Sequence, residues 1–450
     1  MSKDRLQIPA QELYQRAKRM IPGGSQLLSK RPEMYAPGSW PPYFARASGC
    51  RITDLEGCEY LDMTTTGIGS CLLGYANPFV NAAVIERIQQ GSMCSLNGVE
   101  EVQLAEQLIA MHPWADQVRF SRTGGEAMAI AVRIARAATQ RDVIAFCGYH
   151  GWSDWYLAAN LPNPNPANST LADSLADHLL PGLSPSGVPR GLGGTAYPFR
   201  YNNLKELKRI AESHGRSLAA VVMEPFRSQD PQPGFLEGVR EICDHVGAAL
   251  VFDEITCGWR FHLGGIHLKY GVEPDIVVFA KALGNGHPIA AVLGKQQVME
   301  SSQSTFISST FWTEAVGPTA ALATIQQMKK VDVPAHIKQI GELFSRGVRN
   351  LGAEHDVPVV VSGPAALTHL SFDHRESAAL TTLLTKRMIQ RGFLVSSSFY
   401  PSLAHESHHV EQFLSAADNV FYELAETIRL GDVSNRLDGH VKHNGFSRLT

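Results

Sequence analysis

The sequence predicts an α/β protein built on a mainly parallel central sheet with helices on both faces, followed by a smaller α+β C-terminal domain. Three observations carry this. From about residue 61 to about residue 320, short apolar β-like runs alternate with helical segments, as they do where parallel strands are covered on both sides. From about residue 325 the rhythm changes to long helical stretches with two short β-like runs between them. The 450 residues, 44% apolar and 18% charged, suffice for a large core and more than one domain.

In chain order, residues 1–60 form an N-terminal arm. A short helix around Ala10–Met20 leads to Ile21-Pro-Gly-Gly24, a proline-rich stretch with Trp40-Pro-Pro42, and a hairpin at Arg51-Ile-Thr-Asp-Leu-Glu-Gly57. Residues 61–324 form the large domain, with strands near Val118, Val143, Ala219, Ala249, Ile276 and Ile289. Within it, residues 161–194 are rich in Pro, Gly, Ser and Asn, and read either as a cover over a substrate entrance or as a peripheral insertion. Residues 325–450 form the small domain: Thr324–Arg349 is helical, Val357–Val361 and Thr368–Phe372 are strands, and Glu411–Arg429 is helical. There is no internal repeat or extended low-complexity segment.

The chemistry centres on Lys281, a cation between the apolar run Asp275-Ile-Val-Val-Phe-Ala280 and the loop Gly284-Asn-Gly-His-Pro288. Together with Val251-Phe-Asp-Glu254 it reads as a Schiff-base lysine for pyridoxal phosphate, because imine formation needs an amine that burial and nearby positive charge have stripped of its proton. That cofactor also needs a carboxylate to keep its ring nitrogen protonated. Asp253 closes an apolar run at the sheet edge where ligands of α/β sheets bind.

A phosphate cradle is offered by Phe120-Ser-Arg-Thr-Gly-Gly-Glu126, which opens the Ala-rich helix Ala127–Ala137. Backbone N–H groups at such a turn bind anions, although the same turn also serves simply to start a helix. Ala, Met, Ile and Arg propagate that helix, and Glu126 suits its N-terminal dipole. After Val143-Ile-Ala-Phe-Cys147 comes Gly148-Tyr-His-Gly-Trp152. Here Tyr149 is the candidate to stack on the ring and His150 to support it, the alternative being an aromatic loop packed on the core.

The ordered motifs Thr-Gly-Gly-Glu-Ala, Tyr-His-Gly, Met223-Glu-Pro225, Phe252-Asp-Glu-Ile-Thr-Cys-Gly-Trp-Arg260, Pro274-Asp275-Ile276 and Ala280-Lys-Ala-Leu-Gly-Asn-Gly-His-Pro288 resemble the class III pyridoxal-phosphate-dependent aminotransferases. They are most similar to the branch that contains glutamate-1-semialdehyde aminomutase. The likeness runs from about Ile21-Pro-Gly-Gly24 to the C-terminal region. It implies the transferase fold type I, with Lys281 as the Schiff-base residue, Asp253 at the pyridine nitrogen, Tyr149 and Ile255 on the two ring faces, and Thr123, Gly124 and Gly125 at the phosphate. It further implies a homodimer in which Thr310, in Ser308-Ser-Thr-Phe-Trp-Thr313, reaches the neighbouring subunit's phosphate. Glu224 matches a cofactor-side carboxylate, and would equally suit a structural Glu-Pro strand end.

Three departures from the aminomutase pattern bear on substrate. Thr123-Gly-Gly-Glu126 stands where that enzyme has Ser-Gly-Thr-Glu, and Gly284-Asn-Gly286 stands where it has three glycines. Lys30, beside Arg31, stands where a substrate-carboxylate arginine is expected, and it lacks the two-pronged guanidinium. Arg227 and Arg260 are further candidates for a substrate anion, or else structural ion-pair residues.

The implied activity is amino-group transfer between an amine and a carbonyl substrate by a ping-pong mechanism through Lys281, with pyridoxamine phosphate as the intermediate cofactor form. Intramolecular transfer of the aminomutase type, racemisation or epimerisation, and a non-catalytic scaffold are the alternatives. A net charge of -3 speaks against a nucleic-acid binder that relies on bulk charge. No apolar run approaches the roughly 20 residues needed to span a bilayer. The N-terminal residues include Asp4 and lack a signal-peptide core. Seven scattered cysteines fit reduced thiols in the cytoplasm. Ala404-His-Glu-Ser-His-His409 reads as a solvated or helix-capping cluster, with no metal expected.

Overall fold

The computed structural model of the protein describes residues 8–161 and 183–443. The chain divides into two compact units. Pro78–Val331 forms one, and Met1–Asn77 together with Asp332–Thr450 forms the other.

The first unit is built on a seven-stranded sheet: β1 Gln117–Ser121, β2 Val143–Cys147, β3 Ala196–Pro198, β4 Leu218–Met223, β5 Ala249–Asp253, β6 Ile276–Phe279 and β7 Ala290–Gly294, in the spatial order β1-β7-β6-β5-β4-β2-β3. The pairs β6-β5, β5-β4, β4-β2 and β2-β3 are parallel; β7 is antiparallel to both β6 and β1. All six strands expected from the sequence are present. The seventh, β3, is three residues long and ends in Pro198, so its apolar pattern is too short to read, and its edge position is where proline is tolerated.

Every residue of β2, β4, β5, β6 and β7 is buried, which is why these segments read as continuous apolar runs without alternation. Alternate side chains serve alternate faces. Ala220, Val222, Ala249, Val251, Ile276 and Val278 pack with Ala127, Met128, Ala131 and Ile134 of the helix Gly124–Thr139. The intervening Val221, Leu250, Phe252 and Val277 are equally buried.

In the second unit, strands Phe44–Ser48, Arg51–Asp54 and Glu59–Met63 form an antiparallel meander, and Phe393–Val395 adds to it parallel to Glu59–Met63. N-terminal and C-terminal segments are thereby one structure. A second antiparallel sheet joins Val359–Ser362, Thr368–Phe372 and Ser398–Phe399. Helices Val333–Glu354, Ser377–Ile389 and Ser407–Leu430 enclose a core in which the Phe344 ring lies 4.5 Å from Phe399 and 5.2 Å from Phe413.

Three sequence expectations are refined here. The helix expected at Thr324–Arg349 is two, Val316–Lys330 and Val333–Glu354, because Asp332 caps the second by accepting Ala335 N–H at 3.1 Å. The last helix begins at Ser407, where Glu406 and His409 form a reciprocal cap. Of the nearby histidines, His405 is fully buried, with Nδ1 2.9 Å from Ser402 Oγ and Nε2 2.8 Å from Asp62 O, so this part of the cluster is structural and not solvated. No metal-binding cluster occurs among the described residues. Of the 161–194 segment, residues 162–182 lie outside the described residues; Leu183 and Leu192 pack on the core of the sheet unit.

Candidate active site

Register brings the site together. Ser121 pairs with Ala290, Ala291 with Phe279, Val278 with Asp253, Phe252 with Met223, and Met223 with Cys147. The strand ends carrying Thr123, Lys281, Asp253, Glu224 and Tyr149-His150 therefore open onto one edge of the sheet, the edge where α/β sheets bind ligands.

Lys281 begins a single 3₁₀ turn, Lys281–Gly284, with φ at +42°. A side chain rarely adopts that backbone, so it stores strain of the kind concentrated at functional sites. The half-buried amine donates from Nζ to Thr256 Oγ1 at 2.8 Å. Burial lowers its pKa; Asp253 and Glu224 oppose the shift and Arg260 adds to it.

Asp253 is buried at the end of β5. Its Oδ1 accepts Ile255 N–H at 3.0 Å, and its Oδ2 lies 2.8 Å from His150 Nδ1. His150 is itself 1% exposed, stacks on Trp155, and leaves Nε2 buried without a hydrogen-bond partner. With Nδ1 carrying the proton, the imidazole orients the carboxylate. Glu224 follows β4, and a Cβ on Gly148 (φ +127°) would lie 2.5 Å from its Oε2, so the approach requires glycine. Burial raises the Glu224 pKa, Arg227 pulls it down and Asp253 pushes it up.

Thr123 caps the helix Gly124–Thr139. Glu126 Oε2 accepts the N–H groups of Arg122 and Thr123 at 3.0 and 2.9 Å, and Thr123 Oγ1 accepts Glu126 N–H at 3.4 Å. A Cβ on Gly124 would stand 2.8 Å from Ile255 Cδ1, which brings the residue after Asp253-Glu254 directly against the turn. Tyr149 is half-exposed, its ring edge-on to Tyr156 at 6.0 Å.

Thr310 is exposed and opens a 3₁₀ turn, Thr310–Thr313, and its side chain makes no hydrogen bond among the described residues. Its segment is anchored near the turn, since Arg122 Nη2 donates to Trp312 O at 3.0 Å and Arg122 Nε lies 3.0 Å from Glu314 Oε1. Of the basic candidates, Arg260 is 1% exposed and so sealed from any substrate, whereas Arg227 is part-exposed with Nε 3.3 Å from Glu224 Oε2. Lys30 and Arg31 belong to the other unit.

The roles of two residues of the Phe252–Arg260 motif were not legible beforehand. Thr256, three positions past Asp253, supplies the acceptor for Lys281. Glu254 is fully buried and accepts Ile266 N–H, His267 N–H and His267 Nδ1 at 2.7, 2.8 and 2.6 Å, pinning the loop that carries Thr256. The signal for Thr256 was its place in the loop directly after the carboxylates.

An amine with lowered proton affinity, an oriented carboxylate and an anion-binding turn thus share one edge. The profile of the aminotransferase class-III family matches residues 35–421. The chain belongs to the class-III aminotransferase family. It is similar to the 3-aminobutyryl-CoA aminotransferase of Cloacimonas acidaminovorans, at 31% identity over 84% of this chain and 87% of that one. It is also similar to the glutamate-1-semialdehyde 2,1-aminomutase of Desulfovibrio desulfuricans, at 31% identity over 92% of this chain and 99% of the other. Among solved structures, the PLP internal aldimine form of the FumI protein of Sphingopyxis sp. MTA144 superposes with a TM-score of 0.81 at 26% identity, covering 93% of this chain and 97% of that one. The seven-stranded sheet of this class-III aminotransferase is thus the scaffold on which these elements are arranged.

Proposed function

We infer that this chain is a pyridoxal-phosphate-dependent aminotransferase that moves an amino group between an amine and a carbonyl substrate, with Lys281 as its covalent cofactor residue. The observation that carries the reading is the strained Lys281 turn, which sets a desolvated amine beside Thr256 at the edge shared with Asp253. The residues fit the cofactor. Asp253, its Oδ1 held by Ile255 N–H and its Oδ2 by His150 Nδ1, is a buried, aligned carboxylate suited to a ring nitrogen, and Gly124 and Gly125 open the helix start to a phosphate.

When bound, pyridoxal phosphate supplies a carbonyl that condenses with amines and a cationic ring that takes up carbanion charge. This chain's residues do the rest. Lys281 would hold the cofactor through Nζ, and as a free amine, kept unprotonated by its burial, it could take a proton from the substrate carbon and return it. Asp253, aligned by Ile255 N–H and His150, would face the ring nitrogen and keep it protonated. Tyr149 and Ile255 would cover the ring faces, Glu224 would lie on the cofactor side, and Thr123, Gly124 and Gly125 would hold the phosphate. In a homodimer, Thr310 of the partner subunit would complete that cradle. Exposed Leu96, Val99, Val102, Phe306 and Phe311 support a second copy covering this unit. Seven unpaired cysteines support a cytoplasmic setting. Among the described residues no helix is long and apolar enough to cross a membrane.

The test is a half-reaction screen: holoenzyme is mixed with single amines and conversion to pyridoxamine phosphate is followed by absorbance. Conversion by a subset of amines, reversed by a carbonyl acceptor, is expected. Failure of every amine together with solvent deuterium exchange at the substrate carbon would instead indicate racemisation. Similarity to the aminomutase of Desulfovibrio desulfuricans favours one second reading, intramolecular transfer. Turnover of an amino aldehyde without external acceptor distinguishes it.

A further inference from the structure

We propose that Trp152 is a phosphate-binding residue of the cofactor site, its indole N–H joining the donors of the glycine turn. The proposal rests on the pyridoxal-phosphate reading and assigns to it a residue outside the turn itself.

Trp152 is set at the head of the Gly124–Thr139 helix by both of its neighbours. Gly151 takes φ +99°, and a Cβ there would lie 3.2 Å from Gly125 Cα, so the two backbones are in contact. On the other side, Ser153 Oγ donates to Gly125 O at 3.4 Å. Between these contacts the indole turns its nitrogen edge to the turn: the point where a Cβ on Gly125 would sit is 3.2 Å from Trp152 Nε1 and 3.4 Å from Cδ1. The missing side chain at Gly125 is what admits that edge.

The local donors then need an acceptor. Glu126 consumes the N–H groups of Arg122 and Thr123. The N–H groups of Gly124 and Gly125 and the Nε1–H of Trp152 have no acceptor among the described residues. Indole nitrogen can only donate, and Trp152 as a whole is 74% exposed, so its side chain is accessible to a ligand. Unpartnered donors at a helix start carry partial positive charge, which favours an anion, and a phosphate presents three oxygens to them.

The full chain, freed of cofactor, is titrated with pyridoxal phosphate and with pyridoxal, and binding is read from absorbance. Trp152→Phe should weaken pyridoxal phosphate about ten- to hundredfold, the loss of one hydrogen bond to a charged group, and leave pyridoxal unchanged. Trp152→His, which keeps an N–H, should recover part of that loss, as should Gly125→Ser placed in the Trp152→Phe chain. Equal weakening of both ligands makes Trp152 a prop for the loop and overturns the proposal, as does no weakening of either. Retained pyridoxal binding shows that the variant is folded. An unsubstituted chain that binds neither ligand overturns the cofactor reading together with this one, whereas the other negative outcomes overturn this one alone.

Discussion

Replacing Thr256 with Val tests how the site holds its lysine. The two side chains have nearly the same shape, so the change deletes Oγ1, the acceptor 2.8 Å from Lys281 Nζ, and little else. A hydrogen bond donated by a charged ammonium contributes about 1.5–3 kcal/mol, and one donated by a neutral amine about 0.5–1.5 kcal/mol. The protonated form therefore loses about 1 to 1.5 kcal/mol more than the free amine, which multiplies the free-amine fraction about five- to tenfold where the lysine is mostly protonated. Burial already lowers the pKa of this amine, so the variant moves it further the same way. The assay is the rate at which cofactor-free protein reacts with pyridoxal phosphate as a function of pH. Thr256→Val should react faster on the acid limb and not on the alkaline plateau, and Thr256→Ser should behave as the unsubstituted chain. A profile that is unmoved, or shifted toward alkaline pH, would refute the assignment of Thr256 as the acceptor that stabilises the ammonium.

The lowered pKa of Lys281 also affects stability. Between its folded pKa and the ordinary value of 10.5, the unfolded chain binds more protons than the folded one, so this group makes cofactor-free protein more stable as pH rises through that window. Lys281→Met should flatten that slope in chemical denaturation, and an unchanged slope would show the amine to be unperturbed. Sedimentation of the full chain should give twice the chain mass, and Leu96→Lys with Phe306→Lys should reduce it; a monomeric unsubstituted protein would remove Thr310 from the proposed cradle.

Most of the central sheet was legible because β2, β4, β5, β6 and β7 are buried on both faces, and such strands are uniformly apolar whatever their neighbours. The Gly124–Thr139 helix was legible because Thr123 and Glu126 form a local cap whose partners are three residues apart. Lys281, Asp253 and the glycine turn were readable as a set because parallel strands deliver their carboxyl ends to one edge, so chain order alone predicts convergence. By contrast, Phe393–Val395 pairs with Glu59–Met63 across most of the chain length, and no local pattern marks which distant strand completes a sheet. That pairing merges the expected arm and the C-terminal region into one unit.

Within the site, the sequence by itself determined the residue types: an amine, carboxylates and a turn able to bind an anion. Tertiary structure decided their partners. Only three-dimensional contact sets Thr256 against Lys281, His150 against Asp253 and the Trp152 edge against Gly125, and only burial separates the sealed Arg260 from the part-exposed Arg227. The physical reason is range. Capping, helix propensity and strand burial act over a few residues and leave a mark in the sequence. The proton affinity of an amine and the partner of a carboxylate depend on groups brought within about 3 Å by strands far apart in the chain.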